Sequence, residues 1–183
     1  KNLGGLGPHF DSPPNVRYKN VAKTVDGEPV DMILESDNFV SGKPKKVGLF
    51  GASAVVNIQN GNEVDFVARF VDENDNPVTL PPFHMSFMDI DTGKNGGQEE
   101  LTIGGFSQSY MLDDTELSKV EMADGRTRFI AGAPGIGADN PYDPLMLTDM
   151  QAKRTVSFQF PSGLSTFSFS YKVGKVAFTD YEA

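Results

Sequence analysis

Short stretches in which every second residue is apolar, set between turn residues, run through most of this chain and leave it little choice of fold. Side chains of an extended strand alternate between two faces, so this period marks sheets with one buried side. The clearest stretches are 16–21, 30–35, 54–58, 64–71, 83–90, 101–106, 127–130, 155–160 and 167–173, and 175–179 reads as an edge strand. Asp26-Gly27, Asn60-Gly61, Asn76-Pro77, Asp124-Gly125 and Ser162-Gly163 fall between them, where hairpins need turns. One segment reads as helical. Thr148 and Gln151 have the order of a capping box, giving a helical turn near 148–154 before Thr155 opens a strand. Eight to eleven strands and one helical turn predict an all-β fold, an antiparallel β-sandwich of jelly-roll type. An immunoglobulin-like sandwich is the main rival, but its Cys…Trp…Cys signature is absent.

Residues 1–14 stand apart. Gly4, Gly5, Gly7, Pro8, Pro13 and Pro14 disfavour both helix and ladder, which predicts an extended arm ahead of a single sandwich domain over 15–183. A chain of 183 residues, 38% hydrophobic with 14 Phe and 5 Tyr, supplies material for one core. Phe158, Phe160, Phe167, Phe169 and Tyr171 alternate along two strands. They read either as a sugar-stacking platform or as filling between two sheets, and the absence of Trp favours the filling.

Composition removes several function classes. A formal charge of −9 argues against a phosphate backbone as partner, so no nucleic acid is expected; Lys43, Lys45 and Lys46 form the only basic cluster and read as a solvated loop. With no cysteine, disulfides, zinc–thiolate sites and cysteine nucleophiles are excluded. No apolar run reaches the roughly 18 residues that span a bilayer, so the chain is not expected to be membrane-spanning. It opens on Lys1 rather than Met, which fits a mature form whose targeting segment was removed, and an excised fragment would start the same way. Enzyme chemistry finds little footing: His9 and His84 are the only imidazoles, and neither a nucleophile elbow nor a phosphate-binding loop is present. Gly132-Ala-Pro-Gly135-Ile-Gly137 reads as a flexible or tight loop.

The sharpest chemical hint lies between Phe87 and Ile103. A strand ending in Asp89 and Asp91 runs through a Gly/Asn loop into a strand opening on Glu99 and Glu100, four carboxylates around one turn. Hard oxygen ligands suit calcium, and Asp89, Asp91, Glu99 and Glu100 are the expected metal ligands, with carbonyls of 92–97 adding to them. By parity, Asp89, Asp91 and Glu99 end one apolar face. The stretch is not an EF-hand, because Gly93 and Lys94 occupy its fifth and sixth positions and no helices flank it. Two readings stay open: a calcium site, or a solvated acidic turn whose charge Lys94 partly offsets. Like charges on one face favour the ion. Asp72-Glu-Asn-Asp-Asn76-Pro77 reads as an ordinary hairpin loop. Asp139-Asn-Pro-Tyr-Asp143-Pro144 is a rigid turn that is a candidate to face the acidic cluster.

Val16-Arg-Tyr-Lys-Asn-Val21, Val25-Asp-Gly-Glu-Pro-Val-Asp31, Phe87-Met-Asp-Ile-Asp91 and Asp139-Asn-Pro-Tyr-Asp-Pro144, followed by Leu147-Thr148…Gln151, resemble a pattern found in secreted or organelle-targeted proteins of microalgae and related protists. The resemblance covers about residues 16–171. It implies an extracytoplasmic β-sandwich with calcium bound through Asp89 and Asp91, and it implies no substrate. The expected function is a non-catalytic extracytoplasmic module with a structural calcium site, secreted or at the cell surface, acting in adhesion or assembly. One alternative is an accessory subunit of a larger complex, for instance in the thylakoid lumen, meeting protein partners through residues 1–14. The other is a carbohydrate-binding module with a glycan partner.

Overall fold

The computed structural model describes residues 1–93, 96–135 and 140–175, and among them are twelve strands, of which ten form the two sheets of an antiparallel β-sandwich. In chain order the strands are β1 (Asn15–Lys23), β2 (Pro29–Glu35), β3 (Gly48–Phe50), β4 (Ser53–Val55), β5 (Asn62–Val71), β6 (Phe83–Phe87), β7 (Glu99–Ile103), β8 (Gln108–Tyr110), β9 (Leu117–Glu121), β10 (Thr127–Ala131), β11 (Val156–Phe160) and β12 (Thr166–Val173). The larger sheet runs β1-β2-β5-β12-β7-β10-β9 and the smaller β6-β11-β8, while β3 and β4 form a separate hairpin. Seven strands against three is an uneven division that alternation alone does not specify.

Aromatic residues close the gap between the sheets. Val64, Phe66, Ala68 and Phe70 of β5 are buried, as are Leu101 and Ile103 of β7 and Phe129 of β10. Opposite them lie Val156, Phe158 and Phe160 of β11, also buried. Edge-to-face contacts cross the gap at 5.2 Å between the Phe129 and Phe158 rings and at 4.9 Å between Phe87 and Phe169. Phe160 lies 4.9 Å from Phe167 and stacks on Phe83 at 5.0 Å. Offset and edge-on arrangements at these distances are the favourable ones for rings whose faces are negative and edges positive. The alternating Phe of β11 and β12 are therefore filling, and a sugar platform is not built from them.

Several turns do what their sequences imply. Gly27 (φ +89°) and Gly125 (φ +82°) close the β1–β2 and β9–β10 hairpins in a backbone region that glycine enters without a Cβ clash. Ser162-Gly163 differs, because β11 and β12 lie in different sheets and this turn carries the chain between them. The helix α1 (Asp149–Lys153) begins with the capping box: Gln151 N–H donates to Thr148 Oγ1, and Thr148 N–H donates to Gln151 Oε1 at 2.9 Å. β3 and β8 have only three residues each, and Leu117-Ser-Lys-Val-Glu121 of β9 does not alternate, so these three do not stand out in sequence. Of the expected edge strand at 175–179, all but Lys175 lies outside the described residues.

Residues 1–14 do not run out as an extended arm. They fold back on the sandwich through a single 3-10 turn at Leu3–Gly5, and Leu3 is 1% exposed within the core. The buried Asn2 side chain organises the segment. Its Nδ2 donates to Ser12 O at 2.7 Å, and its Oδ1 accepts from Gly7 N–H at 2.8 Å. Gly4 adopts φ +58° and leaves no room for a side chain, since a Cβ would stand 2.7 Å from Phe39 Cβ. Glycine and proline here shape a compact loop because one leucine has a core site to fill.

Phe158 touches the rings of Phe87, Phe106, Phe129 and Phe160, which makes it the centre of the seam. Phe158→Ala is expected to lower the unfolding free energy by about 3–5 kcal/mol, read from urea unfolding at unchanged slope. A loss under about 1 kcal/mol would mean that the sheets are held together elsewhere.

Candidate functional site

The acidic end of the sandwich is built where β6 stops short of the length its alternation implied. The strand ends at Phe87, and Asp89 takes φ +63°, a left-handed conformation that short polar side chains tolerate. This turn drives Ile90 into the core, where it is 1% exposed. Ile90 N–H donates to Arg154 O at 3.1 Å, and Glu99 N–H donates to Asp91 O at 3.1 Å. Asp89, Asp91 and the first residue of β7 are thereby fixed around one point by backbone bonds and a buried isoleucine.

Glu99 is strongly perturbed there. Burial pushes its carboxyl up to about 8, repulsion from Asp91 and Asp89 adds to the rise, and donation from Tyr171 Oη to Glu99 Oε2 opposes it. Burial, with the charge of Glu99 beside it, holds the Tyr171 phenol well above its ordinary value. Asn140 Nδ2 donates to Asp89 Oδ2 at 2.6 Å, so the 140–144 turn does face the cluster. Arg154 supplies positive charge from within. Its side chain is only 6% exposed, with Nη1 3.9 Å from Asp91 Oδ2, Nε 2.8 Å from Glu116 Oε2 and Nη2 donating to Pro134 O at 3.0 Å.

The expected tetrad divides. Glu100 points to the opposite face of β7, where its Oε1 lies 2.5 Å from Lys172 Nζ and its Oε2 lies 3.4 Å from Arg128 Nη1. Adjacent strand residues alternate, so Glu99 and Glu100 cannot share a site while both remain in β7. Asp89, Asp91 and Glu99 stay within electrostatic reach of one another, but among the described residues no group of three or more acidic or histidine side chains is gathered to hold a metal ion. The carbonyls of the described loop residues are also engaged. Thr92 O accepts from Gly135 N–H, Gly93 O from Gly96, Gly96 O from Gln98 and Gly97 O from Gly93. Lys94 and Asp139 lie outside the described residues.

Other sequence candidates resolve simply. Asp72 Oδ1 accepts from the N–H groups of Asn74 and Asn76 at 2.8 and 2.9 Å, an ordinary turn closed by its own aspartate. Gly135 belongs to a tight loop, since a Cβ there would stand 1.7 Å from Asp91 Oδ2. His84 is exposed on β6 and His9 lies in the N-terminal loop.

No family model matches the chain, and no curated protein matches it either. Among solved structures it is similar to the N-terminal domain of the Streptococcus gordonii adhesin Sgo0707, with a TM-score of 0.53 and 18% identity. The likeness is one of fold. It covers 87% of this chain and 44% of that one, so the chain spans less than half the length of the structure it resembles. That neighbour agrees with the β-sandwich derived from alternation.

Sequence reasoning missed Arg154 and Tyr171. Tyr171 pairs with Leu101 and Val173 with Glu99, a register that brings the phenol to the carboxyl and that no local pattern encodes. Tyr171 shares parity with Phe167 and Phe169, and a phenol ending a row of phenylalanines was the available sign.

Glu99 makes stability depend on pH in a definite direction. The folded state holds this proton to about pH 8, whereas an unfolded glutamate releases it near 4.5, so the folded state carries the extra proton between those values. Stability is therefore full below the lower value and is lost as pH rises through the upper one, at up to about 1.4 kcal/mol per pH unit. Glu99→Gln keeps an acceptor for Tyr171 and is expected to flatten that decline in urea midpoints. Parallel pH profiles for the two proteins would refute the assignment.

Proposed function

We propose that this chain is a non-catalytic β-sandwich module acting outside the cytoplasm in adhesion or assembly. The observation that carries the reading is the sandwich it shares, over 87% of its length, with an adhesin N-terminal domain. The algal and protist group suggested by the sequence motifs would place it in a secreted or organelle-targeted setting. Residues 1–14 no longer favour docking through a free arm, because Leu3 and Asn2 are committed to the domain itself.

Beads coated with the purified chain are expected to attach to cell surfaces or arrayed glycans saturably, and soluble chain should compete. Absence of attachment to either, or turnover of model glycosides by the purified chain, would overturn the reading.

Calcium is the finer part of this proposal. A cation at Asp89 and Asp91 would have to compete with Arg154 and with the proton on Glu99. Melting in calcium against chelator, with magnesium as control, is expected to raise the midpoint by a few degrees for calcium alone. Asp89→Asn combined with Asp91→Asn should abolish the shift. An unshifted wild-type midpoint would remove calcium from the reading and leave Arg154 as the cation of the cluster.

A further inference from the structure

The tip of the β3–β4 hairpin and the 140–147 loop meet at one corner of the sandwich. Gly51, at φ +58°, allows the contact: a Cβ there would stand 2.0 Å from Tyr142 O, and Ala52 N–H donates to that same carbonyl. The Phe50 and Tyr142 rings pack edge to face at 5.4 Å, yet both residues remain open to solvent, as does Leu49. Beyond them Leu145 is 91% and Met146 77% exposed. Asp143 fixes the turn that presents these two, its Oδ1 accepting from Leu145 N–H at 2.9 Å and its carbonyl from Met146 N–H at 3.1 Å. These are large apolar side chains held out on hydrogen-bonded turns.

The charge that leads into the β3–β4 hairpin is the reverse of that on the chain as a whole. Lys43, Lys45 and Lys46 are exposed, lie within seven residues of Phe50 and make no ion pair among the described residues, in a protein of net charge −9. The Lys1 ammonium joins them, packed over Gly48 where a Cβ would stand 2.4 Å from Nζ. Asp143 is the one acid in the turn of the 140–147 loop, and its Oδ1 is occupied by that turn. An acidic polysaccharide would answer the lysines but not the bare leucines and methionine. A bilayer with anionic headgroups answers both, because apolar tips enter the acyl boundary while lysine stems lie along it with their ammonium groups among the phosphates.

We propose that this corner docks the module peripherally on an anionic lipid surface, with Leu49, Phe50, Leu145 and Met146 inserting and Lys43, Lys45 and Lys46 meeting the headgroups. The proposal goes beyond adhesion and stands or falls separately from it, since vesicles contain neither glycan nor protein. Sedimentation of the purified chain with phosphatidylcholine–phosphatidylserine vesicles, against phosphatidylcholine alone, tests it directly. Binding is expected to the mixed vesicles and to fall with added salt. Lys43→Glu, Lys45→Glu and Lys46→Glu together should weaken it on the order of a hundredfold or more, and Leu145→Asp with Met146→Asp should abolish it. Both variants alter exposed side chains and should melt as wild type does. Failure of the wild type to sediment, equal binding to both vesicle types, or binding that survives either variant would overturn the proposal. So would a concentration-dependent dimer that Leu145→Asp with Met146→Asp dissolves in a chain that ignores vesicles, which would assign the corner to a second copy.

Discussion

The aromatic seam between the two sheets is the constraint on which the rest of the molecule depends. Without cysteine, no covalent staple joins the sheets, so burial of large side chains must do so. A three-stranded sheet offers little surface, and β11 compensates by placing Val156, Phe158 and Phe160 entirely inside. Ring after ring then continues the contact, from Phe129 through Phe158 to Phe160 and Phe167. Large flat side chains achieve this at low entropic cost, because each loses only two torsions on burial.

The acidic end follows from that seam. Tyr171 extends the row begun by Phe167 and Phe169, and its hydroxyl emerges where the apolar filling gives way to Glu99. Arg154 reaches the same place from the end of α1, whose capping box sets where the helix begins and hence where the guanidinium lies. The assembled cluster contains its own offsets to its charge: burial that favours the protonated form of Glu99, and a buried guanidinium near Asp91. Acidic residues close in sequence invite a cation as explanation. Here an arginine more than fifty residues away in the chain competes for that role.

The 140–147 loop links two features of different character. Asn140 at one end holds Asp89, while Tyr142, Leu145 and Met146 at the other carry apolar surface outward beside Phe50. A module of this form has an aromatic core, a polar end tied by hydrogen bonds and a corner at which Leu145 and Met146 stay largely exposed beside the Phe50–Tyr142 pair. In a sheet fold that buries its sides, the loop tips are the surfaces on which the proposed role would rest.

Alternation and turn residues determined the all-β class, most of the strands, the two Gly-centred hairpins and the capped turn at Thr148, because each is set by neighbours within a few residues. The same local rules placed Asp89, Asp91 and Glu99 at one end of a face, and they remain within electrostatic reach. Glu100 was grouped with them by proximity in sequence, whereas strand alternation turns it to Lys172. Strand order, the seven-to-three division, the folding back of Leu3 and the arrival of Tyr171 and Arg154 depended on contacts between distant segments. Register across β7 and β12 comes from how the aromatic row packs as a whole, so only the tertiary structure decided which charges the acidic residues would meet.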